Sequence, residues 1–587
     1  MFKKENLANL QNKLKEDGIK GYLILTCDPH DNEYIASFYM AERLYFCPFT
    51  GDTGDLLVTQ DNAYLFTDGR FFIQAEKELK DSGVTLMKIG EKGVLPLNKF
   101  IKENNLYPLG INTLIASEGL YESLVNKKED KIIDKDYSYM VENRPSLSDS
   151  KVFKLDKDLY TLSYKEKIQN ILDEVIKNGA EANLISTLDD IAWILNLRGN
   201  DIECNPVFYS YLYLSKTYGN HLFIDKKKIN FEIEDIEIHD YEEITDFLKK
   251  HENVVTMVDK SRMNARLFNE LKNVVNKKNP SYFMKAVKGP VEINNTKEIQ
   301  ILDGVAMVKF GYFLKNNLEK NLSEFDYSEV LEKFRRENKR LFELSFTTIA
   351  AVGPNAAQMH YGPTKEKHSL VTKNDTELLV DSGGQYYGGT TDTTRTYPLK
   401  EVLSEEYIHD YTLTLKSVIA LTTSVFIEHS CGVTLDIKAR EIMWKEGLDY
   451  KCGTGHGVGY ISNVHEGPNG FRYRIVPERD DSYELLPGMI TTVEPGVYKE
   501  NKYGIRIENN LLCVPAFETN MGVFYKFETI TCVPINTRAL DLSIMSDDEI
   551  AWLNNYHKWV YEKLSPFFKE DKDLLEYLRE ETKPLLR

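Results

Sequence analysis

The pattern of apolar and polar positions predicts alternating helices and strands from the first residues onward. Leu7, Leu10 and Leu14 recur at helical spacing, and this predicted helix ends at a glycine before the apolar run GYLILT at 21–26. A further strand signal, AYLFTDGRFF, covers residues 63–72. A helix followed by short apolar strands is typical of a mixed domain, so we predict an α/β (α+β) fold.

The same order of elements returns from about residue 160, which indicates an internal repeat. SYKEKIQNILDEVIKNGAEA (163–182) is again a predicted helix that ends at a glycine. YLYLS (211–215) and NHLFIDKKKI (220–229) then repeat the pair of strands, and FTD at 66–68 is echoed by FID at 223–225. We therefore predict two diverged copies of one α/β domain in the amino-terminal half.

Polar stretches that contain proline set the predicted domain boundaries. The linkers lie near RPSLSDSKVF (144–153) and KAVKGPVEINNTKEI (285–299). The predicted domains are therefore residues 1–155, 156–286 and 287–587. The third domain includes a helical extension at the carboxy terminus, from about residue 535 to 587.

This extension carries its own helix signal. Ser546 is followed three residues later by Glu549, as in a capping box. Large apolar side chains lie near one face of the predicted helix: Trp552, Tyr556, Trp559 and Leu564. We expect this face to pack on the core, and a contact between two subunits is the alternative.

Composition narrows the classes of function. The 587 residues suggest two to four domains, and 42% apolar with 28% charged residues is typical of a globular protein. The formal net charge of −18 argues against nucleic acid as a partner, because a surface that binds phosphates should be basic. No apolar run approaches the roughly 20 residues of a membrane span. The seven cysteines form no CxxC pair, which indicates reduced thiols and a cytoplasmic protein.

Four segments between residues 378 and 509 carry the candidate chemistry. Each sets an acidic residue or a histidine beside glycines and β-branched residues: LLVDSGGQYYGGTTDTTRTYP (378–398), GTGHGVGYISNVHEGP (453–468), TTVEPGVY (491–498) and YGIRIEN (503–509). The possible ligands in them are Asp381, Asp392, His456, Glu494 and Glu508. Four carboxylates and one imidazole suit two divalent ions such as Mn, Co or Zn better than a thiolate zinc site.

Taken singly, these motifs have simpler explanations. Asp-Ser-Gly-Gly is commonly a turn, and Glu-Pro-Gly commonly ends a strand. The run GTGHGVG imitates a nucleotide-binding loop, but the dinucleotide fingerprint needs a glycine where Val458 stands. The occurrence of all four segments in this order favours a metal site.

The first two carboxylates also indicate a cation by their spacing. Asp381 and Asp392 are eleven positions apart, with four glycines between them. Two neighbouring strands joined by a tight turn would bring both carboxylates to one site. Two unpaired carboxylates repel each other there, so we expect a cation between them.

Together the four segments resemble the metal centre of the pita-bread metallopeptidases, which include methionine aminopeptidase, prolidase and aminopeptidase P. The resemblance implies that Asp392 and Glu508 bridge two metals and that Asp381 binds one of them. His456 and Glu494 are the implied ligands of the other. Two divalent ions per subunit are implied, most often Mn2+, with Co2+ or Zn2+ as alternatives.

Within that family, the chain is most similar to the long, three-domain cytosolic Xaa-Pro aminopeptidases. These proteins have two creatinase-like domains before a pita-bread catalytic domain, and DDIAWILNLRGNDIECNPVF (189–208) and WLNNYH (552–557) resemble parts of them. The resemblance implies a homodimer.

The resemblance also assigns roles around the metals. His360 in MHYGP and His465 in NVHEGP match two histidines that contact substrate and support catalysis. Glu494 would carry a proton from the attacking water toward the departing proline nitrogen. Arg70 in TDGRFF matches an arginine that the first domain presents to the active site.

Three further expectations concern neighbours of these residues. Gly455 and Gly457 flank His456, and we expect them to leave room for substrate beside the imidazole. Arg506 is expected to organise the ligands rather than to act on substrate. The eight histidines outside these motifs are predicted to be structural or on the surface.

The implied function is a metalloaminopeptidase that hydrolyses the Xaa-Pro bond, with a hydroxide held between two metals as nucleophile. It would release the first residue of peptides with proline at position two. A prolidase, which prefers dipeptides, is the alternative, and a non-catalytic peptide-binding or histone-binding protein of the same fold is a more distant one. Methionine aminopeptidase is disfavoured by the leading domains, and creatinase is disfavoured by the ligand set.

Overall fold

The computed structural model describes residues 2–125, 131–475 and 482–586. The chain forms two compact units. Met1–Leu155 with Leu162–Tyr282 make the amino-terminal unit, and Asp156–Thr161 with Phe283–Arg587 make the carboxy-terminal unit. The domain boundaries inferred from the sequence, after residues 155 and 286, stay predictions. In the part of the chain that the structure describes, no helix has the length and apolar character needed to cross a membrane.

The amino-terminal unit contains two mixed sheets with helices between the strands. Its strands are β1 Gly21–Ile24, β2 Asp55–Thr59, β3 Ala63–Thr67, β4 Val84–Lys88, β5 Leu109–Ile111, β6 Ile132–Asp134, β7 Phe153–Lys154, β8 Ala182–Ile185, β9 Leu197–Arg198, β10 Ser210–Ser215, β11 His221–Ile224, β12 Glu237–His239, β13 Thr256–Val258 and β14 Val274–Asn276. Its helices, with α10 at its end, are α1 Lys4–Glu16, α2 Ser37–Phe46, α3 Phe72–Glu78, α4 Leu97–Glu103, α5 Glu118–Leu124, α6 Tyr164–Lys177, α7 Leu188–Leu195, α8 Ile244–Lys250, α9 Ala265–Phe268 and α10 Pro280–Met284.

The two sheets share one topology, which confirms the predicted repeat. The first has the order β4-β3-β2-β1-β5-β6 and the second has the order β12-β11-β10-β8-β13-β14. In both, the central pairs are antiparallel: β1 with β2 and β2 with β3, matched by β8 with β10 and β10 with β11. The outer pairs are parallel in both. The chain therefore carries two copies of one α/β domain.

The helices that open the two copies have local causes that their residues explain. In α1, Leu7, Leu10 and Leu14 are buried on one face. At the start of α6, Ser163 and Glu166 form a capping box, and Gly179 beyond its end has φ +79°.

Two predicted strands are shorter than expected. The strand that starts at Ala63 ends at Thr67, since Asp68 accepts a hydrogen bond from the backbone N–H of Arg70 and turns the chain. The strand at 220–229 covers only His221–Ile224, because the Asp225 side chain caps a short 3-10 helix.

The carboxy-terminal unit is built from several small sheets surrounded by helices. Its helices are α11 Pro290–Asn317, α12 Glu324–Arg336, α13 Glu405–Thr422, α14 Gly432–Leu435, α15 Ile437–Lys445, α16 Asp547–Leu564 and α17 Lys572–Glu581. Its strands are β15 Leu341–Leu344, β16 Ile349–Val352, β17 Glu377–Ser382, β18 Gly384–Tyr386, β19 Gly389–Thr390, β20 Thr393–Pro398, β21 Val425–Ile427, β22 Gly455–Gly457, β23 Glu466–Phe471, β24 Ile490–Val493, β25 Gly496–Lys499, β26 Tyr503–Arg506, β27 Asn509–Thr519 and β28 Gly522–Thr529.

Three of these sheets position the candidate ligands. They have the orders β16-β17-β20, β25-β26 and β21-β28-β27-β24-β22-β23. Arg395 on β20 joins two of them, because its buried guanidinium donates to the backbone oxygen of Glu508 (2.6 Å) and to Oδ1 of Asn509 (2.8 Å). The junction of the sheets is thus fixed by a buried arginine.

The carboxy-terminal extension packs on the core of this unit, as predicted. Ser546 and Glu549 form the expected capping box of α16. Tyr556 and Leu564 are buried, and Trp552 and Trp559 pack against the same apolar cluster. The Tyr556 hydroxyl donates to backbone oxygens of the chain after β28, which ties the helix to the sheet.

The short segment Asp156–Thr161 caps the start of α11. The Thr161 backbone N–H donates to Oε1 of Glu292 (3.0 Å), and its hydroxyl also contacts the Glu292 carboxylate. The backbone N–H of Val291 donates to Oγ1 of Thr161 (3.2 Å), and the Asn295 amide donates to the Asp158 oxygen (2.9 Å). Residues from the connection between the two repeats are therefore part of the carboxy-terminal unit.

Candidate metal centre

Asp381 and Asp392 lie on neighbouring strands. β17 pairs with β20 in antiparallel fashion, with Ser382 opposite Thr393, so that Asp381 lies near the end of one strand and Asp392 precedes the other. The predicted single tight turn between them is wrong, because the short strands β18 and β19 form a hairpin in this connection. Strand pairing still brings the two carboxylates together.

Glu508 lies between β26 and β27. Its backbone N–H donates to the Thr394 oxygen (3.2 Å), and its Oε2 accepts from the Thr394 hydroxyl (2.8 Å). Thr394 is the β20 residue that pairs with Asp381. The Glu508 carboxylate is thereby fixed beside the aspartates.

His456 and Glu494 come from the largest sheet of the unit. His456 lies on β22 and Glu494 follows β24, and the Thr492 hydroxyl links them by accepting from the His456 N–H (3.0 Å) and donating to Oε1 of Glu494 (3.0 Å). The His456 Nε2 atom is 3.3 Å from Oδ2 of Asp392 and 3.4 Å from Oε1 of Glu494.

The imidazole of His456 is oriented for ligation. Its Nδ1 is 2.9 Å from the Gly457 backbone oxygen, which can only accept, so Nδ1 carries a proton and Nε2 is the nitrogen that faces the carboxylates. Ligand atoms of Asp392, His456 and Glu508 all lie within 4.8 Å of one another. Histidines that bind metals usually donate their other ring N–H to such a backbone oxygen.

The flanking glycines are needed where neighbouring strands come close, and their expected role toward substrate stays a prediction. A Cβ on Gly455 would lie 1.9 Å from the Thr492 oxygen, and one on Gly457 would lie 2.1 Å from the Glu466 oxygen. Both contacts are with backbone of neighbouring strands, which cannot move away. The glycines therefore let the strands approach closely around His456.

The electrostatics of the cluster call for cations. Burial, together with the charges of Asp392 and Glu494, raises the pKa of Asp381 to about 6, although Arg506 opposes this. Burial and the same repulsion raise the pKa of Glu508 well above its ordinary value. Burial alone would lower the pKa of His456, but the Asp392 and Glu494 carboxylates raise it to about 9. The buried carboxylates around His456 therefore carry more negative charge than the nearby cationic side chains balance.

An unused ligand atom supports the same conclusion. Oδ1 of Asp381 is buried and has no hydrogen-bond partner among the described residues. A buried carboxylate oxygen without a donor is costly unless a cation or a water satisfies it. The residues present therefore fit a pair of divalent metal ions bound by oxygen and imidazole ligands.

Arg506 organises one of the carboxylates. Its buried guanidinium donates to Oδ2 of Asp381 (2.6 Å), to the Thr394 hydroxyl (3.1 Å) and to the Tyr498 hydroxyl (2.7 Å). Arg506 therefore bonds only one oxygen of Asp381, and the other oxygen, Oδ1, can bind a metal ion. Tyr498 and Thr394 were not singled out in the sequence, although the run TTDTTRT around Asp392 is a signal for Thr394.

Replacing Arg506 by Lys is expected to weaken metal binding about 10-fold to 100-fold, because an ammonium cannot hold Asp381, Thr394 and Tyr498 at once. The measurement is the Mn2+ concentration that gives half-maximal peptidase activity after metal removal. Tyr498→Phe, which removes one of the three bonds, should shift it less. If Arg506→Lys lowers thermal stability but leaves this concentration unchanged, the arginine has only a packing role.

The two histidines predicted to contact substrate lie near the cluster. The ring of His465 is 4.2 Å from that of His456, centroid to centroid, and edge-on to it. His360 follows Met359, whose backbone oxygen lies 3.5 Å from Nη2 of Arg506. Both histidines are half-buried.

Behind His465 lies a buried ion pair that the sequence did not reveal. Nζ of Lys288 is 2.5 Å from Oε1 of Glu466, and the two side chains are 1% and 3% exposed. Glu466 starts β23, and the residue opposite it is Gly457, next to His456. The pair thus anchors the strand that follows His465.

Arg70 lies in the amino-terminal unit. Its guanidinium is held by Asp68 through two bonds of 2.9 and 2.8 Å, and it lies over the ring of Phe71. Its predicted role toward substrate stays a prediction.

Models of known protein families match most of the chain. The model of metallopeptidase family M24 matches residues 294–515, and models of the creatinase/prolidase N-terminal domain match 6–142 and 143–292. The C-terminal region of peptidase M24 matches 523–585.

Similar proteins extend over the full length of the chain. "Probable Xaa-Pro aminopeptidase P" of Coprinopsis cinerea is 35% identical, over 99% of this chain and 98% of that protein. "Xaa-Pro aminopeptidase 1" of Dictyostelium discoideum is 33% identical, over 99% and 96%. The crystal structure of X-prolyl aminopeptidase from Caenorhabditis elegans, described as a cytosolic enzyme with a di-nuclear active site, superimposes with a TM-score of 0.92 at 29% identity and covers 99% of both chains.

Proposed function

We propose that this chain, which belongs to metallopeptidase family M24, is a Xaa-Pro aminopeptidase that releases the first residue from peptides with proline at position two. The observation that carries the proposal is the convergence of four carboxylates and one imidazole in a chain that matches such enzymes from end to end.

Two divalent ions fit the cluster, and we assign their ligands from this chain's residues. Asp381, Asp392 and Glu508 would hold one ion, and Asp392, His456, Glu494 and Glu508 the other. When bound, such ions polarise the scissile carbonyl and make a water molecule nucleophilic near neutral pH. Manganese is the proposed metal, on the basis of the family resemblance.

The residues around the ligands supply the remaining chemistry. Glu494, the most exposed carboxylate of the set, is proposed to accept the proton of the attacking water and to pass it to the proline nitrogen as that nitrogen departs. Like any amide nitrogen, the proline nitrogen must receive a proton to depart as an amine, and in the Xaa-Pro bond it carries no hydrogen beforehand.

His360 and His465 are proposed to contact substrate. Imidazole N–H groups donate to the oxygen on which negative charge develops during attack, and donors fixed in place before the reaction stabilise that charge. The packing of His465 against His456 and the anchoring of its strand by Lys288 support a fixed position.

The function is tested with matched peptides after metal removal and addition of Mn2+. Arg-Pro-Pro should be cleaved with a kcat/KM about tenfold or more above that of Arg-Ala-Ala and of the dipeptide Gly-Pro, since missing contacts in a pocket cost about 10-fold to 200-fold. If Gly-Pro is the best substrate, the chain is a prolidase. If no peptide is cleaved and no metal binds, it is a peptide-binding protein of the same fold.

Homodimerisation and a cytoplasmic location belong to the same proposal. The dimer rests on the family resemblance, and sedimentation of the purified chain tests it. All seven cysteines are free thiols, which supports a reducing compartment.

A further inference from the structure

Two histidines and a glutamate meet at the edge of the second sheet of the amino-terminal unit. Nδ1 of His221 is 3.0 Å from Nε2 of His239. The Glu237 carboxylate lies against both, with one oxygen 3.6 Å from Nδ1 of His221 and the other 3.6 Å from Nε2 of His239. His221 is buried, and Glu237 reaches into solvent with 68% of its side chain exposed. The trio thus opens to solvent on the carboxylate side.

The partners of the two rings fix where their lone pairs point. Nε2 of His221 is 2.8 Å from the Tyr218 backbone oxygen, so this nitrogen carries the proton and Nδ1 has the lone pair. Nδ1 of His239 is 3.3 Å from the Glu243 carboxylate, which places the proton there and the lone pair on Nε2. In these tautomers two lone pairs face each other beside a carboxylate, and either a shared proton or a metal ion between them relieves their repulsion.

The backbone and aromatic neighbours hold this arrangement. β11 and β12 pair in parallel, with His221 opposite Glu237 and Phe223 opposite His239, so the three side chains lie together at the sheet edge. His221 packs on Phe247 (4.7 Å between ring centroids), and His239 stacks on Phe223 (4.9 Å).

We propose that His221, Glu237 and His239 form a second metal site, which binds one Zn2+ or a similar borderline divalent ion and cross-links the edge strand β12 to β11. Two imidazoles and one carboxylate, each imidazole with its outer N–H held by an acceptor, are a ligand set that zinc prefers. A fourth position is left to water on the exposed side.

The distances suit a tetrahedral ion. With Zn–N and Zn–O bonds of about 2.0–2.1 Å, ligand atoms lie about 3.3 Å apart. The two nitrogens are 3.0 Å apart, and each lies 3.6 Å from a different oxygen of Glu237. One carboxylate oxygen lies within 4.8 Å of both nitrogens, so a rotation of the carboxylate would bring a single oxygen into the site. The exposed Glu237 side chain can make most of this adjustment.

The site is tested by counting zinc in the full chain. A background with Asp392→Asn and Glu508→Gln weakens the catalytic cluster, and zinc equivalents are then measured by titration with and without His239→Gln. We expect one equivalent fewer with His239→Gln, and the same difference of one in the otherwise unchanged chain. Equal zinc content with and without His239→Gln would overturn the proposal, because the two histidines would then share a proton and bind no zinc.

Two further variants separate ligation from folding. Glu237→Gln changes an exposed side chain and should weaken zinc binding without altering the far-UV circular dichroism. Glu243→Gln, which replaces the charged acceptor behind His239 by a neutral amide oxygen, should weaken it about tenfold. Unchanged zinc affinity in both would also contradict the site.

The matched control is His251→Gln. His251 belongs to the same aromatic cluster, stacked on Phe247 at 4.2 Å, but its Nδ1 is held by the Phe247 backbone oxygen and it is not one of the trio. Zinc content should be unchanged in this variant, and a loss equal to that of His239→Gln would assign the effect to packing. Peptidase activity with Mn2+ should be unchanged in His239→Gln.

Discussion

Asp392→Asn is expected to lower kcat/KM for Arg-Pro-Pro by about a thousandfold or more while leaving the fold intact. Asp392 is the carboxylate that lies against both His456 and the buried acids, and it is proposed to bind both metals. An amide offers a neutral oxygen in place of a charged one, and the metals contribute several kcal/mol of transition-state stabilisation, each 1.36 kcal/mol of which is tenfold in rate. Steady-state kinetics at saturating Mn2+, with bound metal counted in parallel, is the measurement.

The control is Glu377→Gln on the same strand as Asp381. Burial raises the pKa of Glu377 to about 9, so its carboxyl is already protonated at neutral pH and an amide resembles it closely. Activity and circular dichroism should match those of the unchanged chain. If Asp392→Asn keeps substantial turnover while Glu377→Gln behaves like the unchanged chain, Asp392 is not a ligand of the catalytic metals.

Lys288→Met is expected to lower the free energy of unfolding by about 3–5 kcal/mol, the usual cost of removing one partner from a buried ion pair. The Glu466 carboxylate would remain buried without the ammonium that balances it. Because Glu466 starts the strand after His465, we also expect kcat to fall. Denaturant unfolding and kinetics on the same samples measure the two effects.

A double variant separates charge from packing at this pair. Lys288→Met with Glu466→Gln removes both charges and should recover most of the lost stability, since a neutral pair of similar size needs no counter-ion. If the double variant is as unstable as Lys288→Met alone, the loss came from the lysine's packing and not from the loss of the ammonium beside Glu466.

The repeat and the candidate ligands could be predicted from the sequence, because local patterns of residues indicate both. Leucine spacing predicted α1, a helical run that ends at a glycine predicted α6, and a capping box predicted α16. The glycine-rich segments marked the candidate ligands, Asp381, Asp392, His456, Glu494 and Glu508. These features depend on neighbours a few residues apart, which a single sequence displays.

The features that could not be predicted depend on contacts between strands that are far apart in the sequence. Lys288 and Glu466 are 178 positions apart, and their pairing follows from how the sheets are arranged, which no local pattern encodes. The packing requirement at Gly455 and Gly457 was missed for the same reason, because the backbone oxygens that a Cβ would meet belong to other strands. His221 and His239 were predicted to be structural or on the surface, and only the pairing of β11 with β12 brings them together.

The path of the chain constrains how this molecule can be shortened. Asp156–Thr161 lies in the connection between the two repeats, yet it caps α11 of the carboxy-terminal unit. A fragment that starts after Tyr282 therefore lacks the residues that satisfy the backbone donors and the Glu292 carboxylate at the head of α11. Gene truncations, and any loss of the leading repeats during evolution, would have to replace this cap before the remaining fragment could fold as it does here.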